Sequence, residues 1–280
     1  MLPTFVVIGA MKAATTSLYE YLRFHPQIYF PELKETNYFL EEGNWSRGLA
    51  WYRSLYEGAG RDGVVHAGDV SPGYAAFPIF AGAPTRMASL LPDAKIIYML
   101  REPVARMRSH YLQDVADGHQ TRPARIALVR DFRYLALSMY AMQLERYLEH
   151  FDHTQILVLR AEDLAAEPQA TLDRVLTFLG LEPGWSSPGL GDFYNTSAAK
   201  RCPRSAVAFV QSALRRTGRV GDSFRLNKFA LAHQLLSRPL AAGEAEPGDE
   251  IVGHLRRCLA PDAARLRVLV GTDFDPWDLA

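Results

Sequence analysis

The segment FVVIGAMKAATTSLYEYLRF, residues 5–24, decides the fold class. Residues 5–8 form a short run of β-branched and aromatic residues, which is typical of a buried strand, and the run ends at Gly9. From residue 15 to residue 24 the apolar side chains recur at helical spacing. The segment therefore predicts a strand, a loop and a helix in that order.

The same alternation recurs along the chain. We expect further strands at residues 64–67, 95–100 and 156–159, and helices at residues 84–91, 103–115, 134–150 and 169–179. Strands separated by helices imply a parallel sheet. The sequence thus predicts an α/β protein, a single domain over residues 1–280 with a central parallel β-sheet flanked by helices. Beyond Gly180 the pattern weakens, and helices are expected only at residues 206–215 and 251–270.

Composition excludes several classes of function. The chain has 31 lysines and arginines against 31 aspartates and glutamates, so we expect no nucleic-acid partner. No window reaches the roughly 18 apolar residues of a membrane helix, and no membrane span is expected. The two cysteines, Cys202 and Cys258, fit neither a metal site nor a dense disulfide framework, which favours a reducing cytoplasm. The sequence does not predict an oligomeric state.

The loop between the first strand and the first helix suits an anion. Backbone N–H groups and the positive end of a helix converge there. Lys12 adds a point charge, and Thr15, Thr16 and Ser17 add hydroxyl donors. The loop is P-loop-like but lacks the GxxxxGK[ST] pattern of nucleotide triphosphate sites. On this loop alone, Thr15 as a helix N-cap and Lys12 as a solvated charge remain an equal alternative.

Three further segments contain clusters of polar residues. They are PELKETNYF at residues 31–39, GDVSPGY at residues 68–74, and REPVARMRSHY at residues 101–111. Singly, each has an ordinary explanation: a charged turn at Lys34 and Glu35, a Pro-Gly turn, and an ion pair of Arg101 with Glu102 or Asp69.

Taken in order, the segments resemble the sulfotransferases that use 3′-phosphoadenosine 5′-phosphosulfate (PAPS). The branch is the one with heparan sulfate sulfotransferases and their bacterial relatives. The family's forms KxGTT, KE with following aromatics, [ED]xSPxY and RxPxxRxxSxY correspond to residues 12–16, 34–39, 69–74 and 101–111, and an aspartate-rich segment with a tryptophan corresponds to residues 272–277. One departure is Ala14, where the family has glycine, so the loop needs a path that tolerates a Cβ.

The resemblance implies in-line transfer of a sulfuryl group from PAPS to a hydroxyl or amine of a small-molecule or carbohydrate acceptor. It makes Lys12 the group that stabilises the leaving phosphate and Glu35 the general base. It also implies a phosphosulfate-binding loop and a 3′-phosphate site, without a metal. The implied PAPS-binding residues are Lys12, Ala13, Ala14, Thr15, Thr16, Ser17, Arg101, Ser109, Lys200 and Arg201.

Two other functions stay open. A P-loop-type nucleotide kinase or phosphoryl transferase would share the architecture, and a noncatalytic module would bind the nucleotide without turnover. His66 and His110 are alternative bases, although structural roles are favoured for both. The acceptor cannot be read from the sequence, and Trp45, Trp51 and Tyr52 fit either an acceptor pocket or the core.

Overall fold

The computed structural model describes residues 1–192, 201–203, 237–239 and 243–271, together with residues 274, 277 and 279. The chain divides into two compact units. The larger unit contains Met1–Arg106, Ala136–Tyr194 and Arg256–Ala280, and the smaller unit contains Met107–Leu135 and Asn195–Leu255. The extent of one domain over residues 1–280 stays a prediction.

The larger unit is built on a five-stranded parallel sheet. Its strands are β1 (Phe5–Gly9), β2 (Ile28–Tyr29), β3 (His66–Val70), β4 (Lys95–Leu100) and β5 (Ile156–Arg160), in the order β2-β3-β1-β4-β5. β1 is central, and Phe5 pairs with Gly68 of β3 on one side and Lys95 of β4 on the other. Because the chain leaves β1 toward one side of the sheet and later returns to the other, a crevice is expected beyond the carboxyl ends of these strands. The predicted α/β fold with a central parallel sheet is confirmed.

Close packing fixes the middle of this sheet. All of β1 is buried, and Gly68 lies against two aromatic rings. A Cβ at Gly68 would come within 2.3 Å of the Phe30 ring and 2.5 Å of the Phe5 ring, so only glycine fits there.

The described helices belong to both units. They are α1 (Thr15–Leu22), α2 (Gly48–Ser54), α3 (Ala83–Leu90), α4 (Pro103–Ala116), α5 (Ala124–Arg130), α6 (Phe132–Ala136), α7 (Tyr140–Leu148), α8 (Ala161–Ala166), α9 (Pro168–Leu179) and α10 (Asp249–Val270). Buried side chains of α1, α3, α7, α9 and α10 join the strands in one hydrophobic core: Leu18, Met87, Leu144, Leu176 and Leu266. Among the described helices, none is long and apolar enough to cross a bilayer.

The prediction of one helix over residues 134–150 is wrong. The helix is broken between α6 and α7 at Ser138, whose hydroxyl donates to the Pro103 carbonyl and accepts from Arg106. The second piece has a new cap: the Asp262 carboxylate accepts the backbone N–H groups of Ala141 and Met142 at 2.9 and 3.0 Å. Hydrogen bonds with distant residues thus replace those that would have continued the helix.

Other features also differ from the prediction. β3 begins at His66 rather than residue 64, and its end extends to Val70. In the smaller unit, β6 (Arg201–Pro203) and β7 (Ser237–Pro239) form an antiparallel pair that the sequence did not predict. The helix expected at residues 206–215 lies outside the described residues.

Candidate active site

The β1–α1 loop, residues 10–14, brings the backbone into an unusual conformation. Lys12 and Ala14 have φ angles of 71° and 62°, in the left-handed region that favours glycine. Ala14 is the N-cap of α1, and no side chain caps this helix. The N–H groups of a helix's first turn have no carbonyl partner within the helix, and the helix dipole makes this end positive. The loop therefore has the geometry of an anion site.

The hydroxyls of α1 lie in its first turn. Thr15 and Ser17 are buried, while Thr16 is half-buried and accepts a hydrogen bond from Lys34 Nζ at 2.9 Å. Since Ala14 and not Thr15 is the N-cap, the alternative that Thr15 merely caps the helix is wrong. The Thr16 hydroxyl proton stays available to an oxygen acceptor, because Lys34 uses only a lone pair of that oxygen.

Two arginines hold the β1–α1 loop through successive carbonyls. Arg101, directly after β4, donates from Nη1 to the Lys12 carbonyl at 3.3 Å. Arg106 donates to the Met11 carbonyl at 3.4 Å and, from Nε, to Ser138 Oγ at 2.7 Å. The alternative partners of Arg101, Glu102 and Asp69, do not appear among its described contacts.

Arg106 contacts the β1–α1 loop but is not among the site residues that the sequence predicts. It is fully buried, and its charge lies beside a loop suited to an anion. The second arginine of the RxPxxR pattern was the available signal. A buried guanidinium that donates to loop carbonyls fixes their direction and adds positive potential at the site.

The segment with Glu35 meets the same loop. Glu35 is exposed, with φ 59°, and its neighbour Lys34 reaches Thr16. The Lys34 ammonium also lies 5.1 Å from the centre of the Tyr19 ring. Burial lowers the pKa of Lys34, and the carboxylates of Glu35 and Glu20 partly oppose that shift. The structure thus brings the predicted base segment to the predicted phosphate loop.

Asp69 of β3 is the centre of a buried hydrogen-bond network. Its carboxylate accepts four hydroxyl donors: Thr36 at 2.6 Å, Ser71 at 2.7 Å, Tyr52 at 2.9 Å and Tyr74 at 3.0 Å. Burial raises the pKa of Asp69, and these hydrogen bonds oppose the rise. Tyr52 is therefore a core residue with a structural hydroxyl rather than a wall of an acceptor pocket.

The carboxyl ends of β1 and β3 are packed together. A Cβ at Gly9 would lie 2.9 Å from the Ala75 Cβ and 3.3 Å from the Pro72 carbonyl oxygen. Gly9 therefore allows the 3₁₀ turn Pro72–Ala75, which follows β3, to approach the start of the loop. Three of the four predicted segments, and Arg101 of the fourth, meet in this region.

The remaining predicted site residues lie in the smaller unit or outside the description. Ser109 is a buried residue of α4, and Arg201 is the first residue of β6. Lys200 and most of residues 272–277 lie outside the described residues. The binding roles of Ser109, Lys200 and Arg201 stay predictions.

The two histidines that the sequence offers as alternative bases, His66 and His110, both have structural contacts. His66 Nδ1 is 2.9 Å from Thr4 Oγ1, and burial lowers the pKa of His66. The Nε2 atom of His110 lies 3.7 Å from Oδ1 of Asp114, and both residues are on α4. Within the described part of the chain, no group of three or more acidic, histidine or cysteine side chains is arranged to hold a metal ion. Metal-free chemistry stays a prediction.

Similarity to known proteins extends over much of this chain. Residues 66–187 match the model of the sulfotransferase family, a range that includes Asp69 and Arg101 but not the β1–α1 loop. The chain is 33% identical over 190 residues to human heparan sulfate glucosamine 3-O-sulfotransferase 3B1, a match that covers 65% of this chain and 47% of that protein. It is 31% identical over 207 residues to mouse bifunctional heparan sulfate N-deacetylase/N-sulfotransferase 4, covering 66% and 23%. The matches thus span less than half the length of these curated relatives.

A solved structure matches over nearly the whole chain. The sulfotransferase from Alicyclobacillus acidocaldarius superposes with a TM-score of 0.69 at 25% identity, covering 96% of each chain. The family model, the curated relatives and this structure all agree with the resemblance that the sequence predicts. This chain is therefore similar to sulfotransferases, to the family model over residues 66–187 and to the bacterial enzyme over nearly its whole length.

Proposed function

We propose that this protein transfers a sulfuryl group from PAPS to a hydroxyl or amine of a small-molecule or carbohydrate acceptor. The observation that carries the proposal is the uncapped N terminus of α1, which follows a loop held by Arg101 and Arg106. Such a terminus binds phosphate and sulfate oxygens through backbone N–H groups.

The donor side of the mechanism uses the β1–α1 loop. Thr15, Thr16 and Ser17 hold the 5′-phosphate at the start of α1, with the backbone of Ala13 and Ala14. The ammonium of Lys12 stabilises the charge that develops on the leaving phosphate as the bond to sulfur breaks. Arg101 and Ser109 bind the 3′-phosphate, which distinguishes PAPS from ATP, and Lys200 and Arg201 close over the nucleotide.

The acceptor side uses Glu35. Its exposed carboxylate takes the proton from the acceptor hydroxyl or amine as the new bond to sulfur forms. The hydrogen bond from Lys34 to Thr16 supports this role because it places the neighbouring residue at the donor loop. Transfer in line places the acceptor opposite the leaving phosphate.

The acceptor class is proposed at a coarse level. The curated relatives carry heparan sulfate in their names, which supports a carbohydrate acceptor, and the bacterial structure leaves the class open. A cytoplasmic location rests on the cysteine content alone.

Calorimetric titration tests the donor class. The purified protein is titrated with 3′-phosphoadenosine 5′-phosphate (PAP), with ATP and magnesium, and with AMP. We expect clear preference for PAP, because two positively charged regions each meet one of its phosphates. Preference for ATP with magnesium would favour the kinase, and PAP binding without transfer to any acceptor would favour the noncatalytic module. Binding of none of the three would remove the proposed function.

A further inference from the structure

Glu35 lies between two residues whose side chains are both anchored. On one side Lys34 donates to Thr16 at 2.9 Å, and on the other Thr36 donates to Asp69 at 2.6 Å. We propose that Lys34 and Thr36 are positioning residues, which hold the general base in register with the donor loop from both sides. This inference rests on the proposed function.

The backbone of the segment supports a need for such anchors. Glu35 and Asn37 both have left-handed φ angles, 59° and 47°, and Thr36 lies between them. Asparagine tolerates this region, but most other residues with a Cβ are unfavourable there, so the cost falls on Glu35. The conformation persists only where its surroundings determine it. Alternation of left-handed residues turns Thr36 into the core while Glu35 stays exposed.

The anchor at Thr36 is rigid because it is buried and shared. Thr36 is 1% exposed, and its hydroxyl lies 3.1 Å from the Tyr74 hydroxyl as well as bonding Asp69. Its carbonyl accepts from Asn44 Nδ2 at 2.7 Å. The next residue is also tied to the network, because the Asn37 N–H donates to Ser71 Oγ at 3.1 Å. The network therefore fixes both the side chain and the backbone that follow Glu35.

The anchor at Lys34 links the base to the donor. The Thr16 hydroxyl accepts from Lys34 and keeps its own proton for an oxygen of the donor phosphate. A single hydroxyl thereby touches the residue before the base and, in the proposed function, the donor itself. The packing of Lys34 on Tyr19 limits its freedom and favours a positioning role over contact with the acceptor.

Paired substitutions test the proposal. Thr36→Val removes the hydroxyl at almost constant shape, Thr36→Ser keeps it, and each is combined with Glu35→Gln. Turnover is measured as sulfuryl transfer from radiolabelled PAPS to an acceptor found by screening, and PAP affinity by calorimetry. Thr85→Val on α3 is the matched control, since its hydroxyl contacts His150 and not the site.

We expect Thr36→Val to lower kcat by about 10- to 100-fold with unchanged PAP affinity, because a base displaced by about 1 Å loses its geometry. Thr36→Ser retains most of kcat, and Thr85→Val leaves kcat unchanged. In the Glu35→Gln background, Thr36→Val lowers kcat no further, because there is no base left to position. A purely structural role would lower kcat by the same factor in both backgrounds.

The outcomes separate the two proposals. If the wild type transfers sulfuryl but the losses from Thr36→Val and Glu35→Gln multiply, the positioning role is overturned and the sulfotransferase function stands. If the wild type binds no PAP, both fall. Should Thr36→Val not fold, Lys34→Met replaces it, since it keeps an unbranched side chain while removing the ammonium, with its hydrogen bond to Thr16 and its contact with the Tyr19 ring. The same non-additivity with Glu35→Gln is then required.

Discussion

The carboxyl ends of β1 and β3 are neighbours in the sheet, and they are held in opposite ways. After β1 the chain forms a loop whose carbonyls accept from Arg101 and Arg106, so cations outside the loop fix its backbone. After β3 a carboxylate inside the core, Asp69, collects hydroxyls from side chains. The first arrangement leaves the start of α1 without a side-chain cap, whereas the second uses its polar atoms internally. In the proposed function, the end of β1 therefore binds the donor while the end of β3 supports the fold.

Glu35→Gln should have the largest effect on turnover, because it removes the proposed base while leaving both strand ends intact. We expect kcat to fall by about 10²–10⁴-fold, the range of general base catalysis. PAP affinity should be unchanged in the same protein. Sulfuryl transfer and PAP titration measure the two quantities, and normal turnover would remove the base assignment.

Lys12→Ala tests the β1 end. We expect kcat to fall by about 10²–10³-fold, because a charge directed at the leaving phosphate is lost. The control is Lys95→Ala at the opposite end of β4, where Nζ donates to the Phe178 carbonyl. Equal losses of turnover in the two variants would contradict a role for Lys12 in the chemistry.

Asp69→Ala tests the β3 end. It leaves several buried hydroxyls without an acceptor, and we expect the free energy of unfolding to fall by about 3 kcal/mol or more. Urea denaturation measures this loss, and Asp69→Asn, which keeps an acceptor oxygen, should lose less. Unchanged stability in Asp69→Ala would show that the network does not support the fold.

Ala14→Gly should have the smallest effect, and it tests the conformation of the loop after β1. Ala14 is left-handed, so glycine should raise the free energy of unfolding by about 1 kcal/mol. Ala13→Gly is the matched control, because Ala13 is buried and is not among the residues of positive φ. The Ala13→Gly variant should lose stability. A loss of stability in both variants would mean that the loop conformation differs from the one described.

The sequence was sufficient for the parts of the molecule that depend on local pattern. The strand, loop and helix at residues 5–24 follow from apolar periodicity, and Thr16 was placed correctly at the start of α1. The Asp69 network was not predicted, since its partners come from separate segments between residues 36 and 74. The break at Ser138 depends on partners that are distant along the chain, and no local pattern reveals them.

The cap on α7 also determines when the protein can fold during its synthesis. Asp262 completes the start of α7, and Leu266 completes a core whose first members are in β1. Translation at about 5–20 residues per second separates the emergence of β1 and α10 by roughly 13 to 50 s. For the later part of that time the central strand has its neighbours but lacks its last covering helix. The nascent chain therefore exposes apolar surface that a chaperone would recognise until residue 266 has left the ribosome.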